Sequence, residues 1–368
     1  MGGDLDRQLA RFIDQALPAH HDRWGDDRSF VARLDWQRRL HAGGWVGITW
    51  APEHGGRGAT PAERVRCDLV LAKAGAPRIA GIIGVNNVGP AIAAHGHDDR
   101  RASLPRILAG DEVWCQGFSE PDAGSDLASI RTRAVLHDDG FIVSGAKVWT
   151  STGLDADHCM LLARTDPDEP GHAGISALVL AMDHPGVEVR PIHQMDGAAD
   201  FAELLLDDVS LPASALLGPL HGGWRVAMGT LAHERAAVVA LAAEVVADVD
   251  ALVRRRLPHT APGSARADRL VQEWIHAQVL GHLGSRVLGA LSRGEDPSAE
   301  QSLLKLAWGG ARQRSSLLAA DELGAAAMLD ELALADTGML TARAATIAAG
   351  TTEVLKNLLG ERVLGLPR

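Results

Sequence analysis

The feature that most constrains how this 368-residue chain can fold is a change of hydrophobic period in its middle. Residues 1–112 carry apolar side chains at helical spacing, first in Leu9, Phe12 and Ile13 and again in Leu34, Trp36 and Leu40. Helical patterning resumes over 61–74 and after Gly84, beyond a Gly-rich loop at 52–58. Between 113 and 217, short β-rich runs alternate with turn residues, at 134–136, 141–144, 160–163, 175–181, 187–189 and 203–206. Asp138-Asp139-Gly140 between the first two runs is a hairpin signal. From 218 to 368 the helical period returns, with Trp224, Met228, Leu231 and Val238 on one face, a Pro/Gly break at 257–264, and helices over about 265–292, 298–327 and 351–364. The order helical, β, helical predicts an α+β chain of three subdomains, 1–112, 113–217 and 218–368, instead of repeated βαβ units. No P-loop, no GxGxxG after a strand and no internal repeat is present.

Charge and composition remove several function classes. The formal net charge of −11 argues against a nucleic-acid binder, which presents a basic face. The chain has no Tyr, so no tyrosine acts as acid, base or radical site, and its last Phe is Phe201. Cys67, Cys115 and Cys159 form no CxxC pair, which predicts a reducing, cytoplasmic setting. The start, Met1-Gly2-Gly3-Asp4-Leu5-Asp6-Arg7, lacks the apolar core of a signal peptide, and the apolar stretch 236–249 is broken by Glu244 and Asp248, so no membrane span is expected. His95-Gly96-His97-Asp98-Asp99 invites a metal reading, but further spaced ligands are absent and a helix end is the simpler expectation.

The chemistry concentrates at the entry to the β region. Residues 115–126, Cys-Gln-Gly-Phe-Ser-Glu-Pro-Asp-Ala-Gly-Ser-Asp, combine hydroxyls, small residues and turn formers, which let backbone amides approach a flat ligand or a phosphate. Residues 145–153, Gly-Ala-Lys-Val-Trp-Thr-Ser-Thr-Gly, set a Trp beside hydroxyls, suited to packing against an aromatic cofactor. With Gly222-Gly223-Trp224 and the tail from Gly350-Thr351-Thr352-Glu353 to Arg368, these motifs make the whole chain resemble the acyl-CoA dehydrogenase family.

The resemblance implies an N-terminal helical domain, a middle β domain and a C-terminal four-helix bundle. It implies FAD, lined by residues matching Gln116, Phe118, Ser119, Gly124, Ser125, Trp149, Ser151, Thr351 and Glu353, with Asp321 at a position that usually carries Gln. It implies an acyl-CoA substrate near Ser125, Arg235, Ala349 and Gly350. It also implies electron-transfer flavoprotein or a similar acceptor, and either a homo-dimer or homo-tetramer or a hetero-tetramer with another dehydrogenase chain.

Two departures bear on the reaction. A polarised thioester needs a carboxylate to take its α-proton while the β-hydrogen leaves as hydride. The family's commonest base is a Glu before the glycine of the C-terminal loop, where this chain reads Ala348-Ala349-Gly350. Some branches place the base before an Arg on the first long C-terminal helix, which here is Glu234-Arg235. Glu234 is therefore the candidate base, the plainer alternative being a structural Glu234–Arg235 pair. The family's Arg-x-x-Phe-Gly is also missing, so an Arg from 254–256 or 265–269 would have to replace it. These departures keep two further readings open: a non-catalytic or half-site subunit of a hetero-oligomeric dehydrogenase, and a flavin oxidase or monooxygenase on the same fold. They resemble the pattern of actinobacterial-type enzymes acting on bulky or sterol-side-chain acyl-CoAs.

Overall fold

The computed structural model describes residues 4–329, 334 and 337–367, with the side chains of 231–237 outside the description. Contacts divide the chain into two units: Gln8–Ala59 with Ala76–Glu234, and Met1–Arg7 with Thr60–Gly75 and Arg235–Arg368.

The first unit holds most of α1 (Leu5–Trp24), α2 (Phe30–Ala42), the short helices α4 (Gly89–His95), α5 (Asp98–Arg101) and α6 (Leu104–Ala109), and a single sheet. Ser29 starts α2 by accepting the N–H of Ala32, an N-cap that satisfies a free helix donor. Trp36 and Leu40 of α2 are buried, as their spacing predicts. The loop at 52–58 contains one turn of 3-10 helix, Pro52–His54, ended by Gly55 at φ 89°.

The sheet has eight strands: β1 (Trp114–Gly117), β2 (Arg133–His137), β3 (Gly140–Ser151), β4 (His158–Arg164), β5 (Ile175–Ala181), β6 (Val187–Ile192), β7 (Phe201–Pro212) and β8 (Leu216–Leu217). Their order is β6-β7-β3-β2-β4-β5-β8, with β1 pairing β4 in parallel. The Asp138-Asp139-Gly140 hairpin forms as expected, and Asp138 takes φ 44° in its turn. The apolar runs of β4 and β5 are buried along almost their whole length, as strands covered on both faces are. Cys115, Val143, Cys159, Leu161, Leu178 and Leu204 contribute to one core layer.

Two details depart from the sequence expectations. Trp114–Gly117 is a strand, although 115–126 reads as one turn-rich segment. It is short, and its pairing with residues 158–161 is non-local, which periodicity cannot register. On the first turns of α7 (Gly223–Arg256), Met228 is exposed, and Gly223, Val226, Ala227 and Thr230 are buried.

The second unit gathers α3 (Pro61–Lys73), most of α7, α8 (Ala265–Ser292) and α9 (Ser298–Leu323). Thr60 and Glu63 form a reciprocal capping box at the start of α3. Val65 of α3 shares a core with Val238, Val239 and Val245 of α7, Leu280 of α8 and Leu304 of α9. Four helices thus build this core, three from the region 218–368 and one, α3, from the N-terminal region. α8 has the predicted bounds, whereas α9 ends at Leu323 because Gly324 turns out at φ 57°. The tail helix spans Thr352–Leu358 and opens into one wide turn over Leu359–Val363. Among the described residues, no helix is long and apolar enough to cross a membrane.

Candidate active site

The loop after β1 is tied to β3 at several points. Val148 N–H donates to the Ser119 carbonyl at 2.9 Å. Glu120 and Ala123 exchange two backbone hydrogen bonds, closing a tight turn around Pro121 and Asp122. Glu120 is buried and accepts Lys147 Nζ at 2.8 Å, the Arg131 N–H at 2.6 Å and the Thr132 N–H at 2.9 Å. Burial works to raise the Glu120 carboxyl, yet the Lys147 ammonium and these donors hold it below the usual glutamate range. Burial pulls the Lys147 ammonium down, with Glu120 opposing.

This anchoring presents the predicted residues in a defined way. Gln116, Phe118 and Ser119 are half-buried, whereas Gly124 and Ser125 are exposed on the outer arm of the loop. The β3–β7 pairing shifts register between Lys147 and Thr150, and there Trp149 adopts φ 57°. The irregularity turns the indole outward, 59% exposed, braced edge-on by Phe201 at 5.9 Å. Ser151 follows, half-buried, on the same strand. The Gln116 side chain is fixed too: Asn87 Nδ2 donates to its Oε1 at 2.8 Å, and its Nε2 donates to the Thr230 hydroxyl at 3.4 Å.

The Gly222-Gly223-Trp224 motif has a steric cause. A Cβ on Gly223 would stand 2.3 Å from the Ser176 carbonyl carbon, so only glycine lets the start of α7 lie against β5. Trp224 then meets His172 at 5.5 Å. A groove of about 770 Å³ opens beside Asp126, lined among others by Arg131, Arg133, Leu136 and Arg164. Arg164 shapes its wall by donating to the carbonyls of Ala128 at 2.8 Å, Gly171 at 2.9 Å and Ala173 at 3.1 Å.

In the helical unit, the predicted tail residues surround a strained turn. Ala349 takes φ 55° and Gly350 φ 100°, just before Thr351 caps the tail helix by accepting the Val354 N–H at 3.2 Å. Lys305, itself buried, donates to the Ala345 carbonyl at 2.8 Å and lies over Trp308. Gln313 donates to the Thr346 hydroxyl at 2.9 Å. Ala349 and Glu353 are exposed, as is Asp321. Of the arginines considered as substitutes for Arg-x-x-Phe-Gly, Arg256 and Arg266 both turn to the buried Glu322, at 3.4 Å and 2.8 Å. The side chains of Glu234 and Arg235 lie outside the described residues.

The buried groups Glu120, Lys147, Asn87 and Thr230 carry no signal of their own in the sequence. Glu120 and Lys147 sit inside the two motifs, so their position there was the available signal. Their pairing depends on β3 lying under the loop. The three cysteines are all buried, and burial pushes the Cys67 thiol up to about 11, which leaves it inert at neutral pH.

The surface patch fits FAD on its own chemistry. An outward indole suits a flat aromatic ring, the Ser119 and Ser151 hydroxyls can bond its polar edges, and the open Gly124-Ser125 arm, where a Gly124 Cβ would meet nothing within 4 Å, leaves backbone accessible to a diphosphate.

Comparison with known proteins agrees. Sequence models of the acyl-CoA dehydrogenase N-terminal, middle and C-terminal domains match residues 4–111, 115–209 and 221–364. The chain is 38% identical over 356 residues to the acyl-CoA dehydrogenase IpdE1 of Mycobacterium tuberculosis, covering 93% of this chain and 90% of that one. Among solved structures it is similar to the Tcur3481–Tcur3483 steroid acyl-CoA dehydrogenase, with a TM-score of 0.87 at 28% identity over 99% of this chain and 97% of that one. It is also similar to the ChsE4–ChsE5 complex of Mycobacterium tuberculosis, with a TM-score of 0.81 at 28% identity and the same coverage. Three matched domains and a relative aligned over nearly its whole length make this chain a member of the acyl-CoA dehydrogenase family, an FAD-dependent oxidoreductase.

Proposed function

We propose that the chain catalyses α,β-dehydrogenation of a bulky, steroid-derived acyl-CoA thioester. The observation that carries this reading is that Ala348 and Ala349 replace the loop carboxylate while α7 supplies one ten residues after Trp224. Glu234 is the only acidic residue between Gly222 and Glu244. In this reading Glu234 takes the α-proton, and Arg235 beside it helps hold the substrate. The backbone N–H of Ala349 needs no side chain to polarise the thioester carbonyl, an oxyanion-type role. Bound FAD supplies the acceptor for the β-hydride. Gln116, Phe118, Ser119, Trp149 and Ser151 hold its ring, with Gly124 and Ser125 at its diphosphate and Thr351 and Glu353 as further contacts. The groove beside Asp126 presents Arg131 and Arg133, which suits the phosphates of CoA, since guanidinium groups pair with phosphate. The steroid class rests on the relatives' names, and the acceptor is electron-transfer flavoprotein or a similar protein.

The test is the visible spectrum of the purified protein. Glu234→Ala keeps bound FAD but is no longer bleached by a steroid-derived acyl-CoA; a variant that still bleaches refutes Glu234 as base. Stoichiometric oxygen consumption by the wild type would instead reveal an oxidase or monooxygenase.

A second reading has its own support. Arg256 and Arg266 are committed to Glu322, and the exposed acidic Asp321 stands where FAD would favour a neutral side chain. A partner dehydrogenase chain supplying a cationic contact in place of these two arginines would resolve this, as in a hetero-tetramer. Protein that is colourless alone, and active and yellow when co-expressed with a second dehydrogenase chain, would favour that reading.

A further inference from the structure

Beneath the loop and strand that carry the flavin-side residues lies an enclosed ion pair with no part in proton or hydride transfer. The Lys147 side chain is 0% exposed and that of Glu120 7%, with Nζ and Oε1 2.8 Å apart. As a core filler such a pair is a poor choice, because a well-packed apolar pair of the same volume serves stability as well or better. What an apolar pair cannot do is direct backbone groups. Here Lys147 Nζ donates to the Phe118 carbonyl at 3.1 Å, while Glu120 receives the amides of Arg131 and Thr132. These bonds bracket the loop at both ends, and within a dry interior each is stronger than in water. Apart from the buried Ala123 and the Val148 amide bond to the Ser119 carbonyl, packing offers the loop's outer arm little else, since Gly124 has open space around it and Ser125 is exposed. The sheet makes room for the device at Gly117. A Cβ there would stand 3.4 Å from Lys147 Cγ and only 2.9 Å from Cys159 Sγ.

We propose that Lys147 is a positioning residue that, through the Phe118 carbonyl and Glu120, sets residues 118–126 in register with Trp149 and Ser151 so that both segments meet FAD as one rigid surface. Lys147 itself touches neither cofactor nor substrate. The inference rests on the proposed flavin-side role of Phe118, Ser119, Trp149 and Ser151.

The experiment compares wild type, Lys147→Met and the double variant Glu120→Gln/Lys147→Met, using full-length protein. In the double variant no charge is left buried; the carboxamide that replaces the Glu120 carboxylate keeps one acceptor oxygen in place of two, so one of the Arg131 and Thr132 amides loses its partner, and the Phe118 carbonyl loses its ammonium. Melting temperature and amide hydrogen exchange over 118–126 are read on flavin-free protein. FAD affinity is read by flavin fluorescence, and order around the ring by the fine structure of the visible band. The double variant should regain most of the melting temperature lost by Lys147→Met. It should still bind FAD about ten- to a hundredfold more weakly, the scale seen when the outer partner that orients a metal ligand is removed. Its loop amides should exchange faster and its flavin band should lose fine structure. Recovery of FAD affinity together with melting temperature would reduce the pair to core filler and overturn the proposal. So would unchanged loop exchange in Lys147→Met, whatever the flavin does. Faster loop exchange with undiminished FAD affinity would overturn the flavin-side assignment on which the inference rests.

Discussion

Two buried lysines anchor the two loops of this protein that matter most, and they do so differently. In the sheet unit, Lys147 binds the Phe118 carbonyl and a carboxylate that is itself saturated by backbone amides. In the helical unit, Lys305 binds the Ala345 carbonyl and lies against the Trp308 face, four residues before the strained turn at Ala349. The first anchor spans 29 residues and joins a strand to a loop; the second spans 40 and joins a long helix to the tail. Breaking the charge pair inside the sheet strands a buried carboxylate, whereas losing the Lys305 bond to the tail strands a backbone carbonyl. The loop that frames the flavin should therefore be the stiffer of the two, and the loop nearest the proposed substrate carbonyl the more adjustable.

The largest effect that tests this contrast is Lys147→Met. It strands a buried carboxylate and should lower stability by about 3–5 kcal/mol in chemical denaturation. Lys305→Met leaves an unsatisfied buried carbonyl and should cost about 1–3 kcal/mol. If Lys305→Met costs as much as Lys147→Met, the contrast fails. Thr351→Ala removes the cap of the tail helix and should cost about 1 kcal/mol, seen as faster amide exchange at Val354.

Acid titration sharpens the comparison further. The Glu120 carboxyl sits below its ordinary value in the folded protein, so its contribution is fully present above the usual glutamate range and is lost as pH falls through the folded value. Wild type should lose stability on acidification more steeply than Glu120→Gln/Lys147→Met. A residual slope should survive in the variant, because Glu112 and Glu322 are also held low by His158 and Arg266. Parallel slopes would show that Glu120 is not the carboxylate that matters.

Much of the molecule was legible in the chain where the signal is local. The hairpin at Asp138-Asp139-Gly140, strand β5 and both ends of α8 follow from turn chemistry, β-rich composition and capping within a few residues. The motif Gly222-Gly223-Trp224 was visible, but its cause, the 2.3 Å approach to Ser176, needs β5 in place. Strand β1 leaves no trace in the pattern, because four residues buried by pairing with a strand more than forty positions away carry no period. Met228 sits at an apolar position of the helical pattern and yet faces outward, since periodicity fixes spacing along a helix and not which stripe finds a neighbour.

The sequence by itself determined the order of helical and β regions, the glycine-rich approaches and the family's motifs, including the absence of a carboxylate at Ala348-Ala349. These are properties of neighbouring residues, set by period, turn preference and side-chain chemistry. Only the tertiary structure decided that α3 shares its core with α7, α8 and α9, that Arg256 and Arg266 converge on Glu322, and that Lys147 lies under the Phe118 carbonyl. Each of those joins residues far apart in the chain through burial, and a buried charge takes the partner that the folded backbone brings within reach.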